Sequence, residues 1–283
     1  MQQPTPEHAK LMMAGIFNRA APTYGQVGPR YFDYFGQRLV EQAGLKPGMR
    51  VLDVATGRGA VLFPAAQAVG PSGSVIGIDL AEEMVHATNA EIERRRLLNA
   101  SAEVLDADDL TFPEASFDAI TCAFSVFFLS ERDAALREFY RLLRAGGQLA
   151  VSIWGEETRS EVTRWRWYDE LVRRFLPSSS GSSPLNPGRE MDTPGQLAAR
   201  LAAAAFADIS LQSETKAFAY ASPEDWWQER WSLFFRAALE RLAPEALADL
   251  QTEALSNART MQFRGELLTE RNAVYVVARK CPA

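Results

Sequence analysis

The sequence predicts an α/β protein built on one seven-stranded Rossmann-like sheet, and three observations carry that expectation. Short apolar runs of strand character recur along the chain. Stretches with helical spacing separate them. The first two runs each carry an aspartate at their turn ends.

The first run, Val51-Leu52-Asp53-Val54, passes through Ala55-Thr56 into Gly57-Arg58-Gly59. Val61, Leu62, Ala65, Ala66 and Val69 then follow at helical spacing. A strand, a tight glycine turn and a helix bring backbone N–H groups up to a ligand. Gly57 and Gly59 accept a positive φ and let a ligand touch the main chain. The second run, Ser74 to Ile78, ends in Asp79, where a carboxylate suits the two hydroxyls of a ribose.

These strand ends leave two readings open. A dinucleotide site wants Gly-x-Gly-x-x-Gly, but Leu62 stands three places after Gly59 and Ala55 two before Gly57. Asp53 would repel a pyrophosphate, whereas it can orient loop N–H groups and accept from an ammonium. A nucleoside with an amino-acid tail, such as S-adenosyl-L-methionine (SAM), answers both ends.

The order continues in register. Ala102 to Leu105 reads as a third strand, followed by Asp106-Ala107-Asp108-Asp109, and Ser116 to Ala123 as a fourth. Arg137 to Arg144 is amphipathic and stops at Ala145-Gly146-Gly147. Gln148 to Trp154 is the fifth strand, a sixth lies within 206–220, and Ala273 to Arg279 is the seventh.

Residues 45–155 resemble a class I SAM-dependent methyltransferase of the ubiquinone and menaquinone C-methyltransferase branch. Asp53-Val54-Ala55-Thr56-Gly57-Arg58-Gly59 resembles the family's Asp-x-Gly-x-Gly-x-Gly loop, with Ala55 at the first glycine. Leu105 to Phe112 resembles its Gly-Asp-Ala-x-x-Leu-Pro-Phe stretch, and Leu143-Arg144-Ala145-Gly146-Gly147 its Leu-Lys-Pro-Gly-Gly turn. The resemblance implies six parallel strands and one antiparallel, helices on both faces, a helical cap, and SAM as cofactor. It implies that Asp53, Ala55, Gly57 and Gly59 hold the methionine end and Asp79 the ribose. Asp106 and the Ala107 N–H would meet adenine, and Leu80 and Ala123 complete the cofactor set. Phe17 to Tyr24 resembles the family's Phe-x-x-x-Ala-x-x-Tyr segment, which puts Tyr24 by the methionine end; simple packing is the alternative. Met84 is either on the adenine face or in the core. Where the quinone enzymes often carry Arg-Asn, this chain has Phe127-Phe128, so their substrate chemistry is not implied.

The expected organisation is an N-terminal helical cap segment (1–44), the SAM-binding core (45–155), a helical insertion (156–205) and the last two strands (206–283) with an inserted cap block (222–270). Serines and a glycine at 178–183 predict a mobile loop. The six tryptophans all lie at or beyond Trp154. Adjacent Trp226 and Trp227 cannot share one helix face, so at least one is expected to face a cleft or a partner. Phe127, Trp154, Trp226 and Trp227 are therefore the expected substrate pocket, with cap core as the alternative.

With 283 residues, 47% hydrophobic and 23% charged, the composition is that of an ordinary globular protein. A net charge of -6 and the lack of a basic block argue against a nucleic-acid substrate. No apolar stretch spans a bilayer, Cys122 and Cys281 make no metal set or disulfide framework, and no secretory leader is visible, so a cytoplasmic location is expected. Neither His8 nor His86 is placed as a base, and no catalytic residue is assigned. The expected activity is methyl transfer from SAM to a small, largely apolar or aromatic molecule of secondary or quinone-like metabolism. A SAM-retaining cyclisation or elimination and a non-catalytic SAM-fold module are the alternatives.

Overall fold

A computed structural model describes residues 6–156, 159–176, 191–233, 235–262 and 264–282. The mobile loop expected at 178–183 lies outside the described residues. Strands β1 (Arg50–Val54), β2 (Ser74–Asp79), β3 (Ala100–Val104), β4 (Phe117–Ala123), β5 (Leu143–Trp154), β6 (Ala207–Tyr220) and β7 (Leu267–Arg279) form one sheet in the order β3-β2-β1-β4-β5-β7-β6. β1 to β5 pair in parallel, and β7 is antiparallel to both of its neighbours, so it alone runs against the other six. The order reverses at β1, between β2 and β4. A crevice opens there at the carboxyl ends of the strands, where α/β sheets bind ligands.

The central strands are apolar throughout because helices cover both faces. On one face, α2 (Tyr31–Ala43), α3 (Leu62–Val69) and α4 (Glu82–Arg95) bury Phe35, Leu39, Leu62 and Val69 against Val51 and Val75. On the other, α5 (Arg132–Leu142) and α7 (Pro194–Ala203) bury Leu136, Phe139, Leu197 and Leu201 against Leu52, Ile120 and Val151. Local signals set the helix starts. Thr193 accepts from Gln196 N–H, the Gln196 side chain accepts from Thr193 N–H, and Pro194 sits at the first helical position. Ser222 does the same work for α8 (Pro223–Ser232), accepting from Asp225 N–H.

Helices α1 (Pro6–Ala20), α6 (Arg159–Phe175), α8, α9 (Arg236–Leu239) and α10 (Pro244–Thr260) lie over the carboxyl edge. α6, α8, α9 and α10 share a core of their own around Trp226, Tyr168, Val172, Leu239 and Leu250.

Two elements differ from expectation. β7 begins at Leu267 rather than Ala273, because β6 and β7 continue as a two-stranded ribbon past the end of β5, from Thr215↔Asn272 to Tyr220↔Leu267. The polar stretch Thr269-Glu270-Arg271-Asn272 has no alternation that would mark it as a strand. β5 begins at Leu143, since Phe117 pairs with Leu143 before the ladder shifts, and Gly146 N–H bonds Lys280 O at 3.0 Å. The glycine turn is thus absorbed into the sheet. Among the described residues no helix is long and apolar enough to cross a membrane, and no group of His, Cys, Asp or Glu is placed to hold a metal.

Candidate active site at the carboxyl edge

β1 delivers its last residues into the crevice. Asp53, 1% exposed, accepts from the Thr56 hydroxyl (2.7 Å, Oδ2) and from the Thr121 hydroxyl of β4 (2.7 Å, Oδ1). Burial pushes its carboxyl up to about 6, opposed by those two hydroxyls. Asp53 therefore ties the loop to the neighbouring strand. Ala55 stands at φ 54°, a left-handed backbone that its glycine-bearing counterparts adopt without strain, and Gly57 follows at φ 52°. The turn is tightened by Gly59 N–H to Thr56 O at 2.8 Å.

Asp79 closes the second strand. Its Oδ2 accepts from Gly57 N–H (2.8 Å) and its Oδ1 from Ala81 N–H (2.9 Å). The carboxylate thus links the glycine loop to the start of α4. Burial raises its pKa while the backbone N–H groups of Ala81 and Gly57 oppose the rise. Each oxygen keeps a free lone pair for a ligand hydroxyl.

One cavity runs from Asp79, Leu80 and Met84 to Asp106 and Ala107 and back to Ala55, Gly57 and Ala123. Met84 is 1% exposed and packs with Ala21 and Ala81. A second cavity continues along the glycine loop past Asp53, Gly59 and Arg58 toward solvent. Tyr24, Ala55, Gly57, Ala123 and Phe124 line both. Tyr24 stacks on Phe32 (centroids 5.3 Å, 15°), and burial pushes its phenol up, helped by the Asp79 charge. Arg58 donates to Ala21 O, fixing the loop to the end of α1. The eleven residues expected at the cofactor all border these two cavities.

The expected substrate residues fare differently. Phe127 lines neither cavity; its neighbour Phe128 lines the first, and the two rings touch at 4.6 Å. Trp154 lies one layer back, stacked on Phe124 at 4.0 Å. Trp226 (0% exposed) and Trp227 (2%) are in the cap core and border neither cavity, which corrects the expectation that one of them faces a cleft. α8 leaves only a narrow strip with Glu224 and Gln228 exposed: Trp226 stacks on Trp165 of α6 (5.4 Å) and meets Tyr168 edge-on (5.0 Å), while α10, α1 and β6 pack around much of the rest. Two adjacent side chains can both be buried when neighbours cover most of the helix circumference.

Three features had no sequence signal. Lys10 of α1 reaches Asp106 (2.8 Å) and Asp108 (2.6 Å) across the end of the cavity that Asp106 lines. Phe124 holds a left-handed backbone, φ 50°, at the end of β4, a strained geometry that concentrates at functional sites. Met13 and Phe17 of α1 close the same cavity from above. Of the candidate bases, His86 is exposed beside Glu82 at 3.7 Å, and His8 is exposed. Burial pushes the Cys122 thiol up to about 12, so it is no nucleophile.

The cavity geometry suits a nucleoside with an amino-acid tail: the Asp79 carboxylate at one wall, Met84 and Leu80 as apolar walls, and a glycine loop beyond. Residues 51–147 match the family model of the methyltransferase domain. The chain is 31% identical over 277 residues to nocamycin O-methyltransferase of Saccharothrix syringae, covering 95% of this chain and 98% of that protein. The chain is a class I SAM-dependent methyltransferase. It is also 40% identical over 168 residues to the aklanonic acid methyltransferase DauC of Streptomyces sp. (strain C5), covering 59% of this chain and 73% of that one. To the ubiquinone/menaquinone C-methyltransferase UbiE of Shewanella oneidensis it is 32% identical over 171 residues, covering 59% and 67%. Among solved structures, the [4+2]-cyclase SpnF superposes over 100% of this chain and 99% of that one with a TM-score of 0.61 at 20% identity, a likeness of fold. In this methyltransferase SAM supplies an activated methyl group on a sulfonium. The protein's share is alignment of the acceptor and exclusion of water.

Proposed function

We propose that this methyltransferase acts on an oxygen of a small, largely apolar aromatic metabolite. One observation carries the reading: a shelf of rings begins where the two cavities meet. Tyr24 stacks on Phe32, Phe32 meets Phe124 (5.8 Å) and Trp154 (5.9 Å), and Phe124 stacks on Trp154. Rings bury large area at little entropy cost and favour flat ligands. The relatives named as an O-methyltransferase and as the methyltransferase of an acid support oxygen as the acceptor.

Among the described residues no side chain at the shelf offers an unengaged base. Asp53 is tied up by two threonine hydroxyls, and Tyr24 is held protonated by burial. The acceptor oxygen would therefore be one that ionises by itself: a carboxylic acid, an enol or an acidic phenol. Phe124 and Tyr24 would set its approach, and the cap would exclude water.

Incubation with SAM and a panel of aromatic acids, enols and phenols tests this. The expected result is a product heavier by one methylene together with S-adenosylhomocysteine. Substrate consumption without mass change, with SAM intact, would instead indicate the cyclisation alternative.

A further inference from the structure

The second cavity, about 590 Å³, runs from the ring shelf past the glycine loop to solvent, and Arg30, Arg58, Arg94 and Arg95 line it. Three of these arginines are paired with carboxylates on the same wall. Arg30 meets Asp33 at 2.6 Å, and Arg94 and Arg95 share Glu91, each at 2.6 Å. The remaining acid of the cavity, Asp53, is held by the Thr56 and Thr121 hydroxyls.

Arg58 is the exception. Its side chain is half-buried, and among the described residues its guanidinium has no carboxylate partner. Nη1 donates to the Ala21 carbonyl, and Nε is buried with no partner at all. Burial lowers the Arg58 pKa, with the Glu91 charge opposing and the Arg30 charge adding to the effect. Arg94 shows the contrast, since its bond to Glu91 raises it. An enclosed guanidinium donor without an acceptor is costly unless a ligand supplies one. With Nη1 committed to Ala21, the edge formed by Nε and Nη2 remains. That edge is a planar fork whose two N–H groups match the two oxygens of a carboxylate.

The placement of Arg58 says what reaches it. Arg58 stands between Gly57 and Gly59, and Tyr24, Ala55, Gly57, Ala123 and Phe124 border both cavities. A nucleoside lying along Asp79 and Met84 in the first cavity sends its tail past this junction and into the second. An acceptor lying on the ring shelf meets the same junction. Each can carry a carboxylate to Arg58, one on the amino-acid tail of the cofactor and the other on the acceptor.

We propose that Arg58 is the carboxylate-binding side chain of the second cavity. The assignment rests on SAM as cofactor; only its acceptor branch rests on the aromatic-acceptor reading above.

Calorimetry on the full chain tests it. The first pair of probes is S-adenosylhomocysteine and its decarboxylated analogue, which keeps the amine. The second pair, added with S-adenosylhomocysteine present, is 2-naphthoate and neutral 2-naphthamide. The wild type should prefer the carboxylate member of one pair at least tenfold, and Arg58→Met should erase that preference by weakening the carboxylate member alone. A preference lost in the first pair assigns the cofactor tail, and one lost in the second assigns the acceptor. Arg58→Lys keeps the charge and loses the fork, so it should retain part of the preference; it also serves if Arg58→Met does not fold. Arg58→Met also loses the bond to Ala21, and a purely structural role would weaken both members of a pair alike. Equal weakening within each pair, or preferences that survive both variants, overturns the proposal. If neither naphthalene binds the wild type, the aromatic-acceptor reading fails, while the first pair still decides the role of Arg58.

Discussion

Lys10 and Asp106 meet at 2.8 Å across 96 positions of chain, and the pair latches the N-terminal helix onto the loop after β3. Asp108, 2.6 Å from the same ammonium, makes the latch two-pronged. Met13 and Phe17 of that helix roof the cofactor cavity, so the latch sets how readily the roof lifts.

Lys10→Met keeps the alkyl stem and removes the charge. Partly exposed pairs of this type contribute about 0.5–1 kcal/mol, so SAM release should quicken by about two- to fivefold. Stopped-flow displacement measures it, and raising the salt concentration should mimic the substitution in the wild type. Identical release rates for the two proteins would show that the roof opens elsewhere.

Trp226 belongs to the cap core, and its removal is a packing experiment. Trp226→Ala should lower stability by about 3–5 kcal/mol, the usual cost of deleting a large buried ring. SAM affinity of the folded fraction should be unchanged, since no Trp226 atom borders either cavity. Thermal melts with and without SAM separate the two effects. A stable variant with impaired acceptor binding would return Trp226 to a substrate role.

The contrast between these two residues shows what the chain discloses in one dimension. The Asp53–Gly59 loop and Asp79 are local: strand, turn and acid stand within a few positions, and the fold places them as their spacing suggests. The Lys10 latch is made by residues from distant elements with no periodic or motif signal of their own. Trp226 departs from expectation because one-helix reasoning assigns a single buried face, whereas neighbours cover all of α8 but the strip with Glu224 and Gln228. The start of β7 has a different cause, since the ribbon residues Thr269-Glu270-Arg271-Asn272 are polar and show no alternation that marks a strand.

Asp53 gives the fold a pH dependence of definite sign. Its carboxyl is raised to about 6 in the folded chain, above its unfolded value of about 3.9. Below pH 4 it is protonated in both states and costs nothing. Between pH 4 and 6 the unfolded chain ionises first, and stability falls. Above pH 6 the loss is complete, on the order of 1–3 kcal/mol. Asp53→Asn lacks this titration, so the wild type should lose stability relative to the variant as pH rises from 4 to 7. Urea unfolding at the two pH values measures the difference. A gap that is constant with pH would place the folded-state pKa of Asp53 near its ordinary value.

Asp79 offers the sharpest test of the cofactor site, because its two functions respond differently to substitution. Its oxygens accept from Gly57 and Ala81 N–H within the protein, and the carboxylate lines the cavity in which it is expected to take the ribose hydroxyls. Asp79→Ala removes both sets, so it should weaken SAM binding and destabilise the glycine loop together. Asp79→Asn keeps one acceptor for the loop but presents an amide donor in place of the second oxygen. It loses the charge that strengthens both ribose bonds, worth about 2–4 kcal/mol in binding. Calorimetry should therefore show a roughly 30- to 1000-fold loss of SAM affinity in Asp79→Asn, that range being the same energy expressed as a ratio. Its melting temperature should stay much closer to wild type than that of Asp79→Ala. An Asp79→Asn protein that binds SAM normally would remove the ribose from this carboxylate and reduce Asp79 to a clasp between the loop and α4.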